Sequence, residues 1–310
     1  MNSSRNSLFV LLVMTACASV AYAQTTFTGA NGTNWFDPGN WDIGVPGPMS
    51  AAIIPSGLTA VVDQSAPFAR AATLTVQSGA TVQIAPTADS DARLHLGTSI
   101  CCDLTSVFDG EVRLLQPPSG AHKAILSTFS TGYTFEGAVG VIGEDDAAEL
   151  EIGGGLTNKT KISGHLKIIQ GTLINWGTID ANAEGGKLLI EAFEFDDCDC
   201  PVSYPGIECD CGTVDSTDYE YRVENGGTLE FSAGIGTLSA LEGDFLMTMP
   251  AEETLEVLLI NEPLTSTGRL NMETGKVTVN ENVTLGSTNR RLRLQVGTID
   301  VAANKQFYHN

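Results

Sequence analysis

The chain has 310 residues, with 37 acidic against 16 basic side chains and a formal net charge of −21. Attraction to nucleic acid or anionic lipid comes chiefly from Lys and Arg, so this balance argues against both as partners. Only 17% of residues are charged while Gly, Thr and β-branched residues abound, so the charge reads as solubility on a folded chain rather than as a disordered tail.

The first 24 residues, MNSSRNSLFVLLVMTACASVAYAQ, carry Arg5 as their only charge, an apolar run from Leu8 to Ala16, and small residues at Ala21 and Ala23. This is a secretory signal over residues 1–23, cleaved before Gln24. The apolar run is shorter than the roughly 20 residues a spanning helix needs, so the mature chain is expected without a transmembrane segment and outside the cell or on its surface. Met14-Thr15-Ala16-Cys17 resembles a lipobox lacking its usual Leu, which keeps lipidation at Cys17 as a rival.

Residues 24–64 are rich in aromatic residues, Pro and Gly, with Trp35-Phe-Asp-Pro-Gly-Asn-Trp41 at their centre and Ile53-Ile-Pro-Ser-Gly57 following. Such a segment can cover the open end of a β-stack, whose outermost strands otherwise expose unpaired backbone groups. It is predicted to be an N-terminal cap.

From Ile53 onward, apolar and polar residues alternate in short runs bounded by Gly, Asn, Asp or Pro. Leu74-Thr-Val76, Thr81-Val-Gln-Ile84, Glu149-Leu-Glu-Ile152, Lys276-Val-Thr-Val279 and Leu292 to Val296 are examples, and no helical period is sustained. A Gly-x-apolar-x-apolar unit recurs at Gly110, Gly164, Gly227, Gly268, Gly275 and Gly297. Glycine there is expected to supply a corner of positive φ, with alternate residues then pointing inward. Units of this kind share a core with their neighbours, and no linker divides them, so an all-β solenoid is predicted over residues 65–310. The irregular spacing leaves serial sandwich domains as the alternative.

Six of the seven cysteines lie beyond the signal: Cys101, Cys102, Cys198, Cys200, Cys209 and Cys211. An even count in an oxidising compartment reads as disulfides. Cys198-Asp-Cys200 and Cys209-Asp-Cys211 can cross-bridge as a folded-back pair, Cys198 to Cys211 and Cys200 to Cys209. A zinc site is disfavoured because its usual spacing has at least two residues between thiolates. Cys101 and Cys102 can form a vicinal bridge or pair elsewhere. The acidic insertion at about 195–218, with Asp196, Asp197, Asp199, Asp210, Asp215 and Asp218, is a weak calcium candidate. It lacks the Asp-x-Asp-x-Asp-Gly loop, and no other cofactor is indicated.

The run Trp35 to Val62, with Leu74 to Val82 after it, resembles the start of secreted right-handed β-helix proteins of the eight-glycine and autotransporter-associated repeat types. That resemblance implies a single-stranded right-handed parallel β-helix, extracellular display, adhesion, or support of carbohydrate-related domains. It carries over no catalytic residue.

A non-catalytic surface protein, adhesive, structural or glycan-binding, is therefore expected, with extracellular glycans or surface proteins as partners. The alternative is a polysaccharide lyase or glycoside hydrolase of β-helix type, for which Asp145, Asp146 and His165 are the only candidates. His165 falls in the same repeat slot as Glu111, Thr228, Arg269, Lys276 and Thr298, which accounts for it without catalysis. Gly153 to Thr160 narrowly misses a phosphate loop, with Asn158 where the second Gly belongs. Asn31, Asn158 and Asn282 begin glycosylation sequons, relevant in a eukaryotic source.

Overall fold

A computed structural model describes residues 22–98, 103–118, 120–130, 132–183 and 185–194, and from 220 onward the strands together with 303, 304 and 306. The chain is all-β, with long parallel sheets of 24 and three strands and no α-helix among the described residues.

Three parallel ladders organise it. The first runs through Ala23–Thr26, Ser50–Ile54, Thr73–Val76, Leu104–Phe108, Tyr133–Glu136 and Gly155–Lys159. The second runs through Thr59–Val62, Thr81–Ile84, Glu111–Leu114 and the start of Gly140–Ile152. The third runs through Ala69–Ala71, Ala92–Leu96, Ala124–Thr128 and the end of Gly140–Ile152. Lys161–Asn175 then contributes to all three in one continuous strand.

Alternation at period two sends every second residue inward, and register stacks like on like. In the third ladder Leu94, Leu126, Leu150, Ile168 and Ile190 form one buried row. Val82, Val112, Val141, Ile162 and Ile179 do the same in the second. Full burial of each such side chain is worth about 1.5–3 kcal/mol, which makes these rows the main source of stability.

One interior polar relay interrupts the apolar rows. The Leu74 N–H donates to Ser106 Oγ at 2.8 Å, Ser106 Oγ meets Tyr133 Oη at 2.7 Å, and the Tyr133 hydroxyl donates to the Ala72 carbonyl at 3.0 Å. Burial raises the Tyr133 phenol above its ordinary range, so it stays protonated and able to donate.

Residues 24–64 hold both an aromatic layer and three ladder strands, Ala23–Thr26, Ser50–Ile54 and Thr59–Val62, so the ladders begin inside the stretch read as a cap. Phe27, Trp35 and Trp41 are buried edge to face, with centroids 5.1 and 4.8 Å apart about Trp41. The Trp41 indole N–H donates to the Trp35 carbonyl at 2.7 Å. Asn40, fully buried, accepts from the Asn31 N–H at 2.7 Å and donates to the Asn34 carbonyl at 2.9 Å, which fixes the turn carrying both tryptophans.

The second ladder steps by 22, 30, 29, 21, 17 and then 42 residues from Ala60 to Tyr221. The strands hold register while the connections vary, and the largest step falls where the acidic insertion was placed. The repeat glycines also differ in role. Gly164 has φ +94°, as expected of a corner, whereas Gly110 has no positive φ and is required because a Cβ would come within 2.3 Å of the Ala80 carbonyl oxygen. Gly227, Gly268, Gly275 and Gly297 lie outside the described residues.

The common slot assigned to His165 divides between ladders. Glu111 and Arg269 sit in the second, while Thr228, Lys276 and Thr298 share a row of the third. His165 stands between them, beside Glu144. The near phosphate loop is no loop either: Gly155–Lys159 is a ladder strand with no helix after it.

Candidate functional site

Strands of the third ladder bury Ala92, Leu94 and Leu96, which leaves Arg93 and His95 on the outer face. Register places Arg70, His95, Ser127 and Glu151 in one outward row. Phe68 and Phe129 flank this row, so that Phe68, His95 and Phe129 form a continuous strip with ring centroids 5.5 and 5.2 Å apart. Phe68 lies two residues before Arg70 and Phe129 two after Ser127, so the strip crosses the row obliquely. Phe129 is 49% exposed.

Charged groups frame the rings. The Arg70 guanidinium lies 4.1 Å from the Phe68 centroid. Arg93 reaches across a layer to Glu151 with two hydrogen bonds, at 2.5 and 3.1 Å. Glu149, almost wholly buried, accepts from Lys123 Nζ at 2.6 Å. His95 Nδ1 lies 3.0 Å from Ser127 Oγ. Burial, and then the neighbouring Arg70 and Arg93, bring the His95 pKa down to about 4, with Glu151 opposing them. The imidazole is therefore neutral near pH 7 and serves as a flat, hydrogen-bonding ring rather than as a cation.

Chemically, the strip offers ring faces to the C–H surface of a ligand and guanidinium donors and a carboxylate to its hydroxyls. Its two glutamates are each held by a cation. None of this face was singled out from the sequence. The Arg-Leu-His-Leu alternation announces an outward Arg and His, but which rings stack beside them depends on register.

The catalytic alternative is partly assembled. Asp145 and Asp146 sit in the irregularity between Glu144 and Glu149, and Glu144 pairs in register with His165. Burial pushes Asp145 up, but the Ala147 N–H at 2.9 Å, Asp146 and the His165 imidazole outweigh it, so its pKa is lowered. Arg113 ties Glu144 to Glu111, 3.2 Å from the latter. An acid–base pair needs one carboxyl raised and one ionised; Asp145 is shifted downward, toward the ionised form.

A second feature lies where the first ladder turns into the second. Lys159, Thr160, Lys161, Trp176, Gly177 and Thr178 line a cleft of about 660 Å³, with Gly137 and Ala138 on its other side.

Of the remaining sequence candidates, Asn31 is exposed. Asn158 is fully buried: its Nδ2 donates to Asn175 Oδ1 at 2.8 Å and its Oδ1 accepts from the Thr160 N–H at 3.2 Å. A glycan on that nitrogen is incompatible with this packing. Cys101, Cys102, Cys198, Cys200, Cys209, Cys211, Asp196, Asp197, Asp199, Asp210, Asp215, Asp218 and Asn282 lie outside the described residues. Among the described residues no cluster of three or more His, Cys, Asp or Glu is arranged to hold a metal ion, and no helix is long and apolar enough to cross a membrane.

Compared with protein-family models, with curated proteins and with solved structures, the chain finds no match.

Proposed function

We propose that this chain is an exported, disulfide-bonded surface protein, a right-handed β-solenoid whose outer face binds glycans without catalysing a reaction on them. The observation that carries the proposal is the Phe68–His95–Phe129 strip, framed by Arg70 and by the Arg93–Glu151 pair. Three parallel ladders in register support the solenoid, the N-terminal sequence supports export, and the neutral imidazole suits a face that stacks on sugar rings. Both glutamates of the strip are ion-paired, which favours recognition over acid–base chemistry.

The test is a panel of soluble oligosaccharides titrated against the mature chain, Phe129→Ala and Phe68→Ala. Loss of at least about tenfold in affinity for a bound saccharide in both variants, equivalent to about 1.4 kcal/mol, is expected. Absence of binding, or binding untouched by both changes, overturns the proposal. Steady release of new reducing ends or unsaturated uronates that stops in Asp145→Asn would install the enzyme in its place. Non-reducing peptide mapping checks export independently, with six free thiols as the adverse result.

A further inference from the structure

We infer that the corner cleft beside Trp176 is a second binding site, selective for an acidic sugar ring bearing a carboxylate or a sulfate. This rests on the glycan-binding reading above but on different residues. The cleft exists because its floor cannot carry side chains. A Cβ on Gly177 would lie 2.1 Å from the Thr160 carbonyl oxygen, and one on Gly137, whose φ is +121°, would lie 2.4 Å from the Phe108 carbonyl carbon. Trp176, 39% exposed, forms one wall. The volume of about 660 Å³ lies within the range of small-molecule sites.

Two ammonium groups set its polarity. Lys159 Nζ stands 5.2 Å from the Trp176 ring centroid and 3.3 Å from Glu136, whose side chain is 43% exposed. A pair so exposed contributes little, so a ligand anion can replace Glu136 at small cost. Lys161 is committed differently. It lies 2.5 Å from Asp180, which is fully buried, and is thereby fixed at the rim with one of its three donors engaged. A ring seated against the indole thus meets a movable cation and an anchored donor, the combination suited to one acidic group and a neighbouring hydroxyl.

The net charge of −21 opposes an acidic ligand at long range. At physiological ionic strength, however, charges beyond about 8 Å are largely screened, and the local lysines decide the outcome. A neutral sugar lacks the group that would compensate for displacing Glu136.

Fluorescence separates this cleft from the aromatic strip. The chain has three tryptophans; Trp35 and Trp41 are buried in the terminal layer, and the strip contains none, so Trp176 alone can answer to a ligand. The mature chain is titrated with an oligogalacturonate, a sulfated galactan oligomer and a neutral galactan oligomer of equal length, following emission and acrylamide quenching. One or both acidic oligomers are expected to shift the emission and shield the indole, binding about tenfold tighter than the neutral one, and the arm that does so identifies carboxylate or sulfate. Lys159→Gln should abolish that preference, Trp176→Ala, followed by calorimetry because it lacks the reporting indole, should abolish binding at the cleft, and Phe129→Ala should leave both intact; circular dichroism checks that each variant folds. Equal responses to acidic and neutral oligomers, or an acid preference that survives Lys159→Gln, overturn the cleft and leave the strip standing. A fluorescence response to acidic oligomers with no effect of Phe129→Ala or Phe68→Ala on any saccharide sinks the strip and leaves the cleft.

Discussion

The flat outer face of the third ladder and the corner between the first and second ladders are built from the same stacked strands, yet they behave oppositely. On the flat face, register adds one residue per layer at a constant spacing, so Arg70, His95, Ser127 and Glu151 line up in one row, with Phe68 and Phe129 beside His95 and Arg93 reaching diagonally to Glu151. At the corner the connection shortens from the four residues 55–58 to Thr160 alone, and the layers cannot superpose. A surface row results in the first case and a cavity in the second.

Beneath the corner the mismatch is held by side-chain amides. Asn158 and Asn175 stack in register, and each accepts from a backbone N–H two residues on, Thr160 at 3.2 Å and Gly177 at 3.3 Å. Such local bonds turn the chain where no second strand can supply a partner.

The sharpest way to break the flat face is to hollow the row behind it. Leu126 is fully buried between Leu94 and Leu150, and Leu126→Ala should cost about 2–5 kcal/mol in urea denaturation. A loss under about 1 kcal/mol would mean that neighbouring layers close the gap, and that the face is less rigid than its rows imply.

At the corner the corresponding change is Asn158→Ala. It leaves the buried Thr160 N–H without its acceptor and removes the donor to Asn175 Oδ1, which keeps only the Gly177 N–H, at a cost of about 1–3 kcal/mol. In a double-mutant cycle with Asn175→Ala the two losses should sum to more than the loss of the double variant, because each single change already breaks the same amide–amide hydrogen bond. Full additivity would show that the stack does not turn the corner.

These regions also differ in what the sequence discloses. Alternation along Ala92–Leu96 or Thr81–Ile84 tells which residues face inward, because it needs only the local period. The short runs at Glu149–Ile152 and after Gly164 were legible as strands, but not as parts of the continuous segments Gly140–Ile152 and Lys161–Asn175. A bulge or a single positive φ carries a strand around a corner without the turn residues that usually mark its end. Partners across layers depend on connection lengths, which follow no period. Hence His165 found Glu144 rather than a common slot, and Trp176 found Lys159. Asn158 carried a sequon signal that its buried bonds make irrelevant.

Acid sharpens the contrast, because His95 is the titrating ring of the flat face. Its pKa is about 4 in the fold against an ordinary 6.5, so the unfolded chain takes up the proton more readily. The stability it confers is complete above pH 6.5 and drains away as pH falls toward 4. His95→Gln should therefore lose less stability than the parent chain across that interval, measured as the change in urea midpoint between pH 7 and pH 4. Parallel curves for the two proteins would show that the ring is freely hydrated and not held between Phe68 and Phe129.

The smallest effect belongs to the ion pair that spans the strip. Arg93 and Glu151 keep 28% and 19% of their side-chain surface, so they gain more than a fully exposed pair without the full penalty of burial. Arg93→Gln should cost about 0.5–1.5 kcal/mol in urea denaturation. Because two hydrogen bonds orient the carboxylate, the same change should weaken saccharide binding at the strip more than it weakens the fold. Binding unaffected by Arg93→Gln would confine recognition to the rings and reduce the pair to a brace between layers.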